Sequence, residues 1–312
     1  MSSPARALAA IAVAVAASLA LAGCGLVSRA GTAGVTITIT RDFGARVVRV
    51  IDVASSGRSM TALALLRREA RVRAARDGQV LSIDGLAAAP GQRWSEFVNG
   101  VGTLDGPGDS VGPNAHLVHP GDRLWWDLRD REAGPALQTA VVGAFPEPFR
   151  HGVFGKRFPT TVECAADATS VCTGVAAALV RAGTPAATQE LGTGSGQDTV
   201  SVLVGTWDDL RGTLAADLLA AGPRVSGVYA RFARGGTALV LEDAAGRARR
   251  TLSAGAGLLA AIRDNSAAPT WLITGTDLAG VRAAARALTP AALRDHYAIA
   301  LAGGDILALP LR

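Results

Sequence analysis

The chain has 312 residues, 49% of them hydrophobic and 18% charged, with a mean hydropathy of +0.28. That apolar content fills a sizeable core and excludes a disordered polymer, while a single apolar run of near-spanning length excludes a multi-pass helical membrane protein. The formal charge is +5 and Lys156 is the only lysine, but the arginines are scattered without interleaved aromatics, so nucleic acid is not an expected partner.

Residues 1–23 read as an export signal. Arg6 precedes the uncharged run Ala7–Ala22, and small residues stand before the cut. The cut itself, Leu21-Ala22-Gly23-Cys24, resembles the bacterial lipobox. The resemblance implies that Cys24 is lipidated and becomes the mature N-terminus. Each buried acyl methylene contributes about 0.8 kcal/mol, so two or more chains make a stable anchor on the outer face of the cell membrane. Residues 24–34 are small and weakly polar, as in a tether. With Cys24 set aside, Cys164 and Cys172 form an even pair in an oxidising compartment, eight positions apart. A disulfide closing a short loop is the expectation; the spacing is not that of a CxxC metal or redox motif.

Residues 35–135 read as a first domain. Val35-Thr-Ile-Thr-Ile-Thr40 alternates strictly, the pattern of a half-buried strand, and Val47–Val53 gives a second strand after a turn. Met60–Arg73 has apolar residues at helical spacing, with Ser59 as N-cap. Strands are then expected at Val80–Leu86, Trp94–Val101 and Asp122–Leu128. The order β-β-α-β-β-β fits an α+β sheet with one covering helix, for which a β-grasp is the simplest architecture.

Four segments carry a resemblance: Val35–Phe43, Ser82–Leu86, Trp94-x-x-Phe97-Val-Asn-Gly100 and His119-Pro-Gly-Asp-Arg-Leu-Trp-Trp-Asp127. Together they resemble the transcobalamin-like C-terminal domain family, known in bacterial lipoproteins as DUF4430, over about a third of the chain. In animal transcobalamin and intrinsic factor this domain caps one face of cobalamin. The resemblance therefore implies a corrinoid as ligand. Two features depart from the family: no α/α barrel accompanies the domain, and Ser95 and Glu96 stand where aromatics are common.

Residues 136–312 read as a second, α/β domain. Val141–Phe149, with Pro146 and Pro148, reads as a linker or edge segment. Strands are expected at Phe158–Cys164, Val200–Thr206, Gly227–Ala233, Ala238–Asp243, Pro269–Thr276 and His296–Ala302, and helices at Val171–Ala182, Asp208–Ala221 and Leu278–Leu288. Leu203-Val-Gly-Thr-Trp-Asp and Ile273-Thr-Gly-Thr-Asp echo one another, which points to a pseudo-duplicated unit.

Catalytic signatures are missing. Gly192-Thr-Gly-Ser-Gly196 lacks the nucleophile-elbow spacing, no phosphate-binding Gly-rich loop precedes a lysine, and His116, His119, His151 and His296 do not have the spacing of a metal site. The chain is not expected to be an enzyme, and no resident cofactor or metal is implied. The scarce aromatics are more telling, because Trp94, Phe97, Trp125 and Trp126 gather in two strands. Trp125 and Trp126 must point to opposite faces. One enters a core; the other either offers a contact surface or is covered by the second domain. The candidate ligand-binding set is Trp94, Phe97, Asn99, Gly100, Trp125 and Trp126, with the Asn-Gly backbone as donors. The expected function is non-enzymatic capture of a small ligand, a corrinoid by the resemblance, for a membrane importer. The alternative is a protein–protein interaction module. If Cys24 is the anchor, Cys24→Ala moves the protein from the detergent phase to the aqueous phase in detergent partitioning; a variant that stays with detergent overturns the lipobox reading.

Overall fold

The alternation at the start of the first domain fixes which side chains go where. In the computed structural model, which describes residues 34–54, 59–103, 116–130, 140–196, 198–264 and 268–312, Val35–Arg41 forms β1 and Arg46–Val53 forms β2. The signal, the remainder of the tether and Cys24 lie outside the described residues. Val35, Ile37 and Ile39 turn to one face of β1, and Thr36, Thr38 and Thr40 to the other. Helix α1, Ala62–Glu69, starts at Thr61, whose hydroxyl accepts from the Ala64 N–H, and it buries Leu63, Leu65 and Leu66. The expected helix over Met60–Arg73 is thus shorter than its apolar spacing suggested. Val72–Ala74 leaves it as strand β3, pairing with β4, Val80–Ile83, which in turn pairs with β5, Leu86–Ala87. Asp84 holds this departure. It accepts from the Arg71 backbone N–H at 2.9 Å and from Arg49 Nη1 at 3.0 Å, and these bonds lower its pKa.

Strand β6, Gln92–Val98, returns as β7, Val101–Gly102, through Asn99 and Gly100 at φ +53° and +80°. Both lie in the left-handed region that a two-residue Asn-Gly hairpin requires. Strand β8, Arg123–Asp130, completes a five-stranded sheet in the order β2-β1-β8-β6-β7, in which only β1 and β8 are parallel. Helix α1 covers one face of it, over Ile37, Ile39, Trp94, Leu124 and Trp126.

The second half is built on a wider sheet. In chain order come β9 (Thr160–Cys164), α2 (Thr169–Arg181), β10 (Ala187–Glu190) and β11 (Val200–Thr206). Three short helices follow: α3 (Trp207–Leu210), α4 (Leu214–Ala220) and α5 (Pro223–Ser226). The helix expected across Asp208–Ala221 is therefore interrupted, at Gly212 with φ +84°. Strands β12 (Ala230–Phe232), β13 (Leu239–Glu242) and β14 (Ala248–Leu252) form a small antiparallel sheet. The remainder is β15 (Gly257–Ile262), β16 (Thr270–Gly275), α6 (Leu278–Arg286), α7 (Pro290–Leu293), β17 (Ala298–Ala302) and β18 (Asp305–Leu309). The seven-stranded order is β10-β9-β11-β16-β15-β17-β18, parallel over the first four strands and antiparallel beyond. Helices α2 and α6 pack Val175, Leu179, Val281 and Ala284 on one face, over Val202, Leu259, Trp271 and Ile273. Cys164 and Cys172 are joined by a disulfide that ties the end of β9 to α2, with their Cα atoms 6.0 Å apart.

Val141–Phe149 is not a linker. Val141, Val142, Ala144, Phe145 and Phe149 are all buried in the core. The fold is a mixed α+β structure in which residues 34–312 make one compact unit. The expected boundary at 135/136 falls within 131–139, outside the described residues. The second face of the five-stranded sheet packs Phe43, Phe97 and Trp125 into the same apolar cluster as Tyr229, Leu258, Ala260 and Tyr297.

At the centre of that contact sits Asp127, fully buried. Its carboxylate accepts from Thr40 Oγ1 at 2.6 Å, from the Phe43 and Gly44 backbone N–H groups at 3.1 Å each, and from Tyr297 Oη at 3.0 Å. Thr40 Oγ1 also accepts from Trp125 Nε1 at 2.7 Å. Arg129 lies two residues on, its guanidinium 5.7 Å from the Phe43 ring centre and 5.6 Å from that of Tyr297. Burial raises the Asp127 carboxyl above its ordinary value, against the lowering effect of Thr40, Gly44 and Arg129. Asp127→Ala strands four donors in a water-free contact and is expected to cost about 3–5 kcal/mol of unfolding free energy by urea titration. Because the raised pKa makes the native state hold its proton longer than the unfolded chain does, the deficit of Asp127→Asn narrows as pH rises above the ordinary 3.8. A substitution costing under about 0.5 kcal/mol, within the range of neutral surface changes, would show that this network does not hold the halves together.

Candidate functional site

The aromatic candidates do not form an open platform. Trp125 and Trp126 point to opposite faces of β8, as adjacent strand residues must, and both are buried, at 4% and 1% exposure. Trp126 and Trp94 pack under α1, whereas Trp125 and Phe97 pack against the second half. Phe97 and Trp125 have ring centres 5.5 Å apart, and Tyr297 meets both edge-on. The covered state of the second tryptophan is therefore the one observed, and the expectation of an indole surface facing solvent is corrected. Asn99 is also engaged internally. Its Nδ2 donates to Asp122 Oδ1 and to the Gly152 carbonyl, each at 2.8 Å, and its Oδ1 accepts from the Arg123 N–H at 2.8 Å. The Asn99 backbone N–H donates to the Arg123 carbonyl, and a Cβ on Gly100 would stand 2.8 Å from the Val141 carbonyl oxygen. The two residues set a turn, and the Asn99 amide and backbone N–H are taken up within the protein.

The histidines are dispersed. His116 stacks on Phe154 at 4.0 Å, and His151 shares a 2.7 Å contact from Nδ1 to Glu147 Oε1. His119 donates its backbone N–H to Asp122. Ser195, in the Gly192–Gly196 turn, donates to Glu163.

The hollow that adjoins the candidate set is a cleft of about 260 Å³ on the same sheet face as Trp125. Thr36, Thr38, Val50, Asp52, Arg123 and Trp125 supply the sheet side; Gly143, Ala144, Arg294 and Asp295 close it from the second half. Its position follows from register. Thr36 stands opposite both Asp52 and Arg123, and Thr38 opposite both Val50 and Trp125, so all six project to one face. Arg294 and Asp295 arrive through the turn that ends α7, whose hydroxyl cap is Thr289.

The electrostatics of this cleft are unusual. Asp52 accepts from Thr36 Oγ1 at 2.9 Å. Among the described residues, no hydrogen bond or ion pair engages the side chains of Arg123, Arg294 or Asp295. Partial burial raises the Asp295 carboxyl, while the charges of Arg294 and Arg123 pull it down. Asp295 also holds φ +60°, a left-handed backbone that Asp tolerates better than most residues. His296, next in the chain, is kept neutral more readily because burial lowers its pKa. Sequence reasoning missed Asp52, Asp295, Arg123 and Arg294, because the four are brought together only by β1–β8 pairing and by the approach of residues from the far end of the chain.

A second hollow of about 410 Å³ lies beside the disulfide, lined by Cys164, Thr169, Cys172, Thr188, Gln189 and Glu190. Glu190 is its only charged group. Among the described residues no group of three metal-ligating side chains converges.

No protein-family model, curated protein or solved structure matches the chain. The site must therefore be read from its own chemistry. A carboxylate kept partly from water, without an internal partner and on a left-handed backbone, detracts from stability. Asp295→Asn keeps the size and the backbone tolerance and removes the charge. Its melting temperature is expected to equal or exceed that of the native chain, in contrast to Asp127→Asn, and a clear loss would make Asp295 a structural group.

Proposed function

We propose that this chain is a lipid-anchored extracytoplasmic binding protein without catalytic activity, and that its ligand sits in the cleft between Trp125 and Asp295. The single observation that carries this reading is the convergence, in one open hollow, of charged side chains from both halves, of which Arg123, Arg294 and Asp295 make no hydrogen bond or ion pair among the described residues. Binding sites are typically concave, with a few convergent polar groups on a largely apolar lining. Here Val50, Trp125 and Ala144 supply the apolar part, and the polar part is the larger, so the site relies on its charged and hydroxyl groups more than most. The lipobox and tether support a location at the membrane surface, where a tethered site raises the local concentration of ligand for an importer.

The finer architecture belongs to the same proposal. The order β2-β1-β8-β6-β7 with a parallel β1/β8 centre and one covering helix supports a β-grasp for the first sheet. The in-register neighbours β11 and β16, each ending at a capped helix start, support a duplicated unit in the second half. A corrinoid is the ligand implied by the family resemblance. The buried indoles and the modest cleft volume favour a smaller guest.

A second reading, an interaction module, rests on strand β2. It is the outer strand of its sheet and exposes Val47, Val48 and Val50. Unpaired strand edges recruit partner strands, although Arg46, Arg49 and a bulge blunt this one.

Because Trp125 borders the cleft, ligand entry is expected to change its fluorescence and raise the melting temperature. Screening the full chain, purified in detergent, against cobalamin and a panel of small polar metabolites up to millimolar concentration tests this. If no compound shifts either signal, the binding-protein reading fails and the edge-strand reading takes its place.

A further inference from the structure

From the charges on the cleft walls we infer the chemical class of its occupant: a small zwitterion carrying one ammonium and one carboxylate, of amino-acid to dipeptide size. The inference rests on the reading that this cleft is the binding site, and it goes further by naming what the site selects. The lining holds two carboxylates, Asp52 and Asp295, and two guanidinium groups, Arg123 and Arg294, so its formal charge is zero. An anion alone would satisfy the arginines and leave Asp295 partly desolvated beside a second negative charge. A cation alone would do the reverse to Arg123 and Arg294. A neutral molecule with both charges offers an opposite partner to each set, including the half-buried Arg123 and Asp295.

The placement of the groups supports the assignment. Asp52 and Arg123 lie on the sheet wall and Arg294 and Asp295 on the facing wall, so each side of the hollow offers one carboxylate and one guanidinium. Both guanidinium groups lie near enough to Asp295 to lower its pKa, yet neither pairs with it. A planar guanidinium takes a carboxylate by two parallel hydrogen bonds, which suits Arg123 or Arg294 to that end of the guest. Asp295 then receives the ammonium, with Asp52 as the second negative charge; the Thr38 hydroxyl adds a donor or acceptor on the sheet side. Val50, Trp125 and Ala144 leave room for a short apolar side chain. The volume of about 260 Å³ suits a guest of this size rather than a macrocycle.

The test compares three molecules of nearly one shape on the native full chain by isothermal titration and Trp fluorescence: L-valine, L-valinamide, which lacks the carboxylate, and isovalerate, which lacks the ammonium. L-alanyl-L-alanine serves as the longer zwitterion. At least one zwitterion is expected to bind, with valinamide and isovalerate weaker than valine by about tenfold to a hundredfold, the loss expected for a missing charge-assisted hydrogen bond. Arg123→Gln is expected to weaken valine and leave valinamide unchanged; Asp295→Asn is expected to weaken valine and leave isovalerate unchanged. Circular dichroism confirms that each variant is folded, and the native-chain comparison stands whether or not it is. Equal binding of valine and either analogue overturns the zwitterion assignment. Binding of cobalamin or another panel compound, with neither zwitterion bound, overturns it too while leaving the binding-protein reading intact. Silence from every compound overturns both.

Discussion

A buried carboxylate is costly unless its oxygens are filled, and Asp127 is filled from both halves of the molecule. Two donors come from the turn after β1, one from Thr40 and one from Tyr297, 170 positions further along the chain. Such a group permits few arrangements. If the second half slid against the first, Tyr297 would leave and the carboxylate would face an apolar wall. The aromatic rings around it, Phe43, Phe97, Trp125 and Tyr297, supply much of the apolar contact, and Asp127 fixes its register. Hydrophobic contact is tolerant of small shifts, whereas a network of hydrogen bonds to one ion is not.

The cleft is a consequence of that register. Thr40, Trp125 and Asp127 lie on the sheet face that meets the second half, and Thr36, Thr38 and Arg123 continue the same face toward the other end of the strands. The second half closes over the first group and stops short of the second. Gly44 and Gly143 mark close approaches: a Cβ on Gly44 would stand 1.9 Å from the Asp295 carbonyl oxygen, and one on Gly143 2.8 Å from the backbone of His296 and from the Trp125 ring. The hollow lies between the sheet face and the Arg294-Asp295 turn. The Asp127 network and the rings thus fix the backbone of the two walls that carry Arg123 and Asp295.

Much of the fold was legible in the residues. The Thr alternation in β1, the aromatic strand β8 and the β-branched runs of β9, β11 and β16 carry patterns typical of strands. Strand β15 was not legible, because Gly257-Leu-Leu-Ala-Ala-Ile262 lacks β-branched residues until its end and has the composition of a helix. Its strand conformation comes from burial between β16 and β17, a tertiary effect. Asn99-Gly100 carried a hairpin signal that a ligand reading of the same dipeptide obscured. The aromatic cluster was visible, but its burial was not, since the covering residues, Val141 and Tyr297, lie far away in the chain. The charged cleft was invisible for the same reason: Asp52, Arg123 and Asp295 share no local motif, and pairing across the sheet brings them together.

Asp127 and Asp295 show how one interface can serve two ends. Both are aspartates at the contact of the same two halves, and burial raises the pKa of both. Asp127 has every oxygen occupied by groups of the protein, so a guest could gain nothing from it. Asp295 stays partly desolvated, with no hydrogen bond or ion pair to its carboxylate among the described residues, on a left-handed backbone. A group of that kind weakens the folded state on its own, and the deficit is offset when something binds it. The difference in partners separates a carboxylate that builds the molecule from one that, on the proposed reading, is left for a ligand.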